Sequence, residues 1–130
     1  MPLGGTIDQS LAGNFVPVTI VGNPPEDSRI VHEEPFGPIL PILSFDEVDD
    51  VVARANASKF GLAGSVWGND WNAAIAVANR LETGTVWVNE IHIHSIDIPF
   101  GGQKQSGMGV ERGREGLCEF TNTKTLMFKK

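Results

Sequence analysis

The most unusual chemistry-bearing stretch of this chain is Glu33-Glu34-Pro35-Phe36-Gly37-Pro38. A carboxylate accepts hydrogen bonds from the paired hydroxyls of a vicinal diol such as a ribose. An aromatic ring packs well beside a planar heterocycle. Two prolines flanking a glycine exclude regular helix and hold the acid and the ring at set positions. The same residues also describe a surface turn that buries Phe36, and the chemistry alone favours that plainer reading. His92-x-His94 places two imidazoles on one face if the segment is extended, which suits a metal. Only Asp97 lies close enough to join them, so two polar loop residues are the default. Cys118, in Gly116-Leu117-Cys118-Glu119-Phe120, has Arg112 and Arg114 near in sequence but no base placed to activate it. A plain thiol is expected there rather than a nucleophile. Gly107-x-Gly109 hints at a phosphate-cradling loop. Arg112 stands where the dinucleotide fingerprint needs a small residue, and Met108 stands where the Walker pattern needs lysine. Turn glycines are the expectation.

Composition narrows what surrounds these residues. The chain has 130 residues and a net charge of −6, from 16 acidic and 10 basic side chains. That suits a single domain with room for a real core. An acidic balance argues against non-specific nucleic-acid binding and against an anionic membrane surface. No apolar run reaches the ~20 residues that span a bilayer. One cysteine excludes an internal disulfide framework, so a reduced, cytoplasmic setting is expected.

Several elements must position the candidates. Residues 1–14 read as a flexible lead-in, and Phe15–Val21 as a strand that Pro17 confines to an edge or a start. Ile39–Leu43 is a short apolar strand. Ser44 with Glu47 forms a capping-box pattern, and Val48, Val51, Val52 and Ala55 recur at helical spacing. Leu62–Trp67 reads as a buried strand. Asn69 or Asp70 caps a second helix bearing Ala74, Val77, Ala78 and Leu81, which Gly84 closes. Thr85–Val88 is a third strand. The order over 39–88 is βαβαβ, so the expected class is α/β with a parallel sheet and crossover helices. Glu115–Phe120 is a short helix candidate. Thr123–Phe128 has strand propensity, and such a tail either pairs with a partner subunit or folds back on its own sheet.

Taken in order, Phe15-Val16-Pro17-Val18-Thr19-Ile20, Glu33-Glu34-Pro35-Phe36-Gly37-Pro38, Gly84-Thr85-Val86-Trp87-Val88-Asn89 and Pro99-Phe100-Gly101-Gly102-Gln103-Lys104-Gln105-Ser106-Gly107 resemble the aldehyde dehydrogenase superfamily. Arg114-Glu115-Gly116-Leu117 and Thr121-Asn122-Thr123-Lys124-Thr125 resemble its C-terminal end. The resemblance runs from about residue 4 to residue 128, and covers only the C-terminal portion of the family's catalytic domain.

The resemblance implies NAD or NADP as cofactor and oxidation of an aldehyde to a carboxylic acid. It implies that Glu34 meets the nicotinamide ribose hydroxyls and that Phe36 packs beside that ribose. It implies that Phe100 lines the aldehyde entrance. Ile91 and His92 fall in the family's variable substrate-anchoring loop, here Glu90–Ser95. Residues 15–122 would then be a partial catalytic domain, and 123–130 an oligomerisation strand that makes the chain a homo-oligomer. The Rossmann-like domain, the nucleophilic cysteine, the oxyanion asparagine and the general-base glutamate belong to upstream segments of the family. Cys118 matches a late helix instead, so this chain alone is expected to be inactive. Two rivals remain: a non-catalytic, self-associating binding module that reuses the fold, and a metal-binding module on His92 and His94.

Overall fold

The computed structural model describes residues 3–130. The chain divides into two compact units, one ending at Asp46 and one running from Glu47 to Lys130.

The first unit is a small βαβ arrangement. Strand β1 (Thr19–Gly22) lies parallel to β2 (Ile39–Ile42), with Thr19 opposite Ile39. A one-turn helix, α1 (Arg29–His32), lies between them in sequence. Part of the lead-in is tied down, because Leu3 pairs with Ile20 and the Gly5 amide donates to Thr19 Oγ1 at 3.0 Å. Asn23 adopts a left-handed turn (φ 45°), and its side-chain oxygen accepts from the Ser44 amide at 2.7 Å.

The second unit holds helix α2 (Val48–Asn56), strands β3 (Phe60–Gly61) and β4 (Ala63–Val66), helix α3 (Trp71–Ala78), strands β5 (Thr85–Val88) and β6 (Gln103–Lys104), and helix α4 (Gly113–Cys118). β4 and β5 are parallel, whereas β3 and β6 are antiparallel. Both α/β character and parallel strands therefore hold. The expected continuous βαβαβ sheet does not: β2 bonds to β1, and the strands form three two-stranded sheets.

Local expectations fail in instructive ways. The Ser44–Glu47 capping box does not form, since α2 starts at Val48 with Glu47 in the cap position and no side-chain cap bond. The Ser44 amide is taken by Asn23, a tertiary partner that local spacing does not reveal. Gly84 does not close α3, which ends at Ala78. It sits instead where two backbones meet. Leu62 falls between two short strands rather than inside one long strand.

α3 follows its sequence closely. Asp70 Oδ1 accepts from the Asn72 and Ala73 amides at 2.9 and 3.1 Å, satisfying two of the donors that a helix start leaves orphaned. Asp70→Ala should cost about 1 kcal/mol, while Asp70→Ser should keep most of that stability. Urea unfolding followed by tryptophan fluorescence checks this, because all three tryptophans lie in the second unit.

The core is thin. Among the described residues only Val52 and Ala74 are buried hydrophobics, at 5% and 4% exposure. Large apolar side chains such as Phe45, Trp67, Trp71, Met108 and Phe120 remain exposed. A composition adequate for a core therefore builds mostly surface in this chain. Exposed apolar area on this scale marks interaction surfaces. Residues 122–130 carry neither helix nor strand, and Leu126, Met127 and Phe128 are exposed.

Candidate functional site

In the first unit, the loop after α1 sorts its two glutamates. Arg29 grips Glu33 with two parallel bonds, Nε to Oε1 at 2.9 Å and a terminal nitrogen to Oε2 at 2.8 Å. That pairing holds the Arg29 guanidinium above its ordinary pKa, through the hydrogen bond first and the charge second. Glu34 is exposed and has no hydrogen bond or ion pair among the described residues. One acid is thus held against the helix by Arg29, and the other stays exposed. Beyond it, the Gly37 amide donates to Pro35 O at 2.9 Å and the Ile39 amide to Gly37 O at 2.8 Å. These successive three-residue turns throw the Phe36 ring outward, leaving it 96% exposed. The segment is a surface turn, but Phe36 is not a core residue, so that part of the plainer reading fails.

In the second unit, the segment after β5 folds back as an aromatic cluster. The Asn89 side chain both accepts from the Gly68 amide and donates to the Gly68 carbonyl, each at 2.8 Å, which latches the strand end. The Trp87 indole N–H donates to Ile93 O at 2.8 Å. His92 (φ 60°) and His94 both stand edge-on to Trp87, at 5.9 and 5.4 Å. His94 also stands edge-on to Phe100 at 5.0 Å, and the Arg112 guanidinium lies 5.7 Å from the Phe100 ring centre. Edge-to-face and cation–π contacts of this kind contribute about 0.5–1 kcal/mol each. Phe100 is anchored by two 2.8 Å backbone bonds with Glu111. A hollow of about 760 Å³ opens beside it, lined among others by Met108, Val110, Leu117 and Phe120.

The loop also carries one acid whose titration the structure shifts. The Ser95 hydroxyl donates to Asp97, and this bond foremost, followed by a backbone donor, lowers the Asp97 pKa. The loop contact is therefore fully present above the ordinary aspartate value of roughly 4 and is lost as pH falls through the depressed folded value. An NMR titration of the Asp97 carboxyl checks this, and Ser95→Ala should return the midpoint toward the ordinary range.

The residues 1–126 match the aldehyde dehydrogenase family along nearly their whole length. The chain belongs to that family. Betaine aldehyde dehydrogenase of Rhizobium leguminosarum bv. trifolii is 42% identical over 125 residues, covering 95% of this chain and 26% of the relative. Retinal dehydrogenase 2 of Gallus gallus is 44% identical over 117 residues, covering 90% of this chain and 23% of the relative. Among solved structures, the indole-3-acetaldehyde dehydrogenase AldA of P. syringae, in complex with NAD+, superposes with a TM-score of 0.85 at 36% identity, covering 95% of this chain and 26% of that one. Betaine aldehyde dehydrogenase of Staphylococcus aureus, also with NAD+, gives 0.77 at 43% identity, covering 82% and 21%. The chain therefore spans about a quarter of the length of the relatives it matches.

For a member of the aldehyde dehydrogenase family, the expected residues are distributed as follows. Glu34 and Phe36 lie in the first unit, and Ile91, His92 and Phe100 in the second. His92 joins the aromatic cluster through Trp87. Ile91 is half-exposed, outside that cluster's ring contacts. No group of three metal-ligating side chains exists among the described residues, and His92 and His94 pack on aromatic rings. Cys118 is exposed on α4. Among the described residues, no helix is long and apolar enough to cross a membrane. Residue-by-residue reading missed His94 and Arg112 as neighbours of Phe100, and Trp87 as the ring that His92 and His94 meet. The available signal was an indole near a strand end followed five and seven residues later by two imidazoles.

Proposed function

We propose that this chain supplies the cofactor-positioning and aldehyde-lining part of an NAD(P)-dependent aldehyde dehydrogenase, and that it does not turn over alone. The observation that carries the reading is the division of labour in the Glu33–Pro38 loop. Glu33 is consumed by Arg29, while Glu34 and the Phe36 ring face outward. Glu34 would accept from the ribose hydroxyls next to the nicotinamide, and Phe36 would pack beside that sugar. Phe100, stacked with His94 and held by Glu111, would line the aldehyde entrance, with Ile91 and His92 in the substrate-anchoring loop. When bound, NAD or NADP supplies the hydride acceptor for oxidation to the acid. The nucleophilic cysteine is not assigned to Cys118, which lies exposed on the late helix α4.

Two assays test this. The 130-residue chain with NAD or NADP and acetaldehyde should show no turnover, and robust turnover that survives Cys118→Ser contradicts the proposal. Exchanging the C-terminal quarter of the Staphylococcus aureus enzyme for this chain should preserve oxidation. In that active chimera Glu34→Ala should raise KM for the cofactor and Phe100→Ala KM for the aldehyde. An active chimera indifferent to both changes rules the assignments out.

The exposed apolar surface and the tail bearing Leu126, Met127 and Phe128 favour a second reading, a self-associating module without catalysis. On either reading a homo-oligomer joined through residues 123–130 is proposed. Light scattering on the purified chain checks it, and a clean monomer at high concentration counts against it.

A further inference from the structure

A polar cluster outside the ring contacts surrounds Lys104, four residues after Phe100. Lys104 lies on β6, three residues beyond Gly101 and four beyond Phe100, with φ at 54°. That backbone region favours glycine and is uncommon for any other residue. The loop uses glycine freely at 101, 102, 107 and 109, yet keeps lysine here. The side chain explains why. Its Nζ donates to Asn56 O at 2.6 Å and to Ser58 O at 3.2 Å, and pairs with Glu82 Oε2 at 2.8 Å. An ammonium has three N–H donors, and all three are engaged. The first carbonyl ends α2 and the second follows it, where the helix dipole favours a cation. The side chain is only 24% exposed.

The groups around Lys104 are interlocked. The Asn56 side chain donates to Arg80 O at 2.8 Å and accepts from the Glu82 amide at 2.9 Å, so α2 and the segment after α3 are already joined there. The Gln105 amide donates to Lys59 O at 2.9 Å, the Gly61 amide donates to Ser106 Oγ at 2.9 Å, and Gln103 Nε2 donates to Thr83 O at 3.0 Å. Glu82 is the acid facing Lys104. Lys59, whose carbonyl accepts from the Gln105 amide, places its own ammonium over the Phe60 ring.

We propose that Lys104 is the positioning residue of the Phe100 loop: its ammonium clamps the base of that loop to the C-terminal end of α2 and to Glu82, and so sets where the Phe100 ring meets His94. That the ring faces an aldehyde rests on the function proposed above. The clamp itself is read without substrate, so the two stand or fall by different measurements.

The test uses the full 130-residue chain. In a brief acetic anhydride pulse followed by mass spectrometry, Lys104 should be acylated roughly tenfold or more slowly than Lys124 or Lys130, as expected for a charged group held by several bonds. Lys104→Met keeps an unbranched side chain without the charge. It should collapse the dispersion of the His94 ring signals in an aromatic NMR spectrum while tryptophan fluorescence still reports a folded unit. In a Cys118→Ser background, Lys104→Cys alkylated with 2-bromoethylamine restores an ammonium at nearly the same reach and should restore those signals. Alkylation with iodoacetamide, which leaves a neutral amide, should not. Acylation of Lys104 as fast as Lys124 overturns the proposal, and so do unchanged His94 signals in Lys104→Met or equal recovery with the two reagents. If the methionine variant fails to fold, the acylation rates and the comparison of alkylating reagents decide.

Discussion

Gly84→Ala should unfold the second unit under conditions where the parent chain is stable, with a loss of roughly 3 kcal/mol or more. A Cβ at this position would land on the carbonyl oxygen of Gly101 and stand 2.8 Å from its carbonyl carbon and 3.3 Å from Leu62 O. All three obstacles are backbone, so no side-chain rotation relieves them. The junction is also fixed from the other side, because the Gly84 amide donates to Gly61 O at 3.1 Å and the Thr85 amide to Leu62 O at 3.2 Å. Moving either backbone breaks the seating of β5 or of the Phe100 loop. Gly64→Ala is the control. Its Cβ would meet only Leu81 Cδ1, at an ordinary 3.5 Å, and no unusual φ is needed. That change should be neutral or stabilising by up to about 1 kcal/mol, through lower unfolded-state entropy. Denaturation followed by tryptophan fluorescence compares them, and equal midpoints for the two variants would remove the close-approach argument.

Trp87→Ala should release residues 90–98 and cost about 2 kcal/mol, less than a fully buried tryptophan because this one is half-buried. Three attachments vanish together: the indole bond to Ile93 O and the edge-on contacts to His92 and His94. Trp87→Phe keeps an aromatic face but loses the N–H, and should cost about 1 kcal/mol, since water can reach the freed carbonyl. Amide exchange separates the cases. Fast exchange at residues 91–98 is expected for alanine, and intermediate exchange for phenylalanine. Protection in the alanine variant equal to the parent's would show that the loop is held by something else. Within an active chimera, the proposed substrate-anchoring role of the loop predicts that the alanine variant raises KM for the aldehyde more than it changes kcat.

Much of the local structure was legible because its causes are local. Asp70 before an apolar, helix-forming run caps α3 through its own neighbours' amides. Thr85–Val88 is β-branched and aromatic and forms a strand. Glu115 and Leu117 fall within the short helix expected near the end. The failures share a different cause. Ser44 was read as a cap, but its amide bonds to Asn23, 21 residues earlier. Gly84 was read as a helix terminator, but its constraint is Gly101, a residue that no local pattern connects to it. Phe36 has the composition of a core residue and lies outside, because two successive tight turns aim its ring away.

By itself the amino-acid order determined the family, the α/β class and the parallel character of the strands, since ordered motifs and propensities survive without knowledge of the fold. Only the tertiary structure decided which glutamate of the Glu33–Glu34 pair is held by Arg29, that His94 and Arg112 flank Phe100, and that the Lys104 ammonium meets Asn56, Ser58 and Glu82. Those outcomes depend on contacts between residues far apart along the chain, such as Lys104 with Asn56 and Glu82, and on which donor reaches a shared acceptor first in space. A sequence pattern of period two or 3.6 carries no record of that competition.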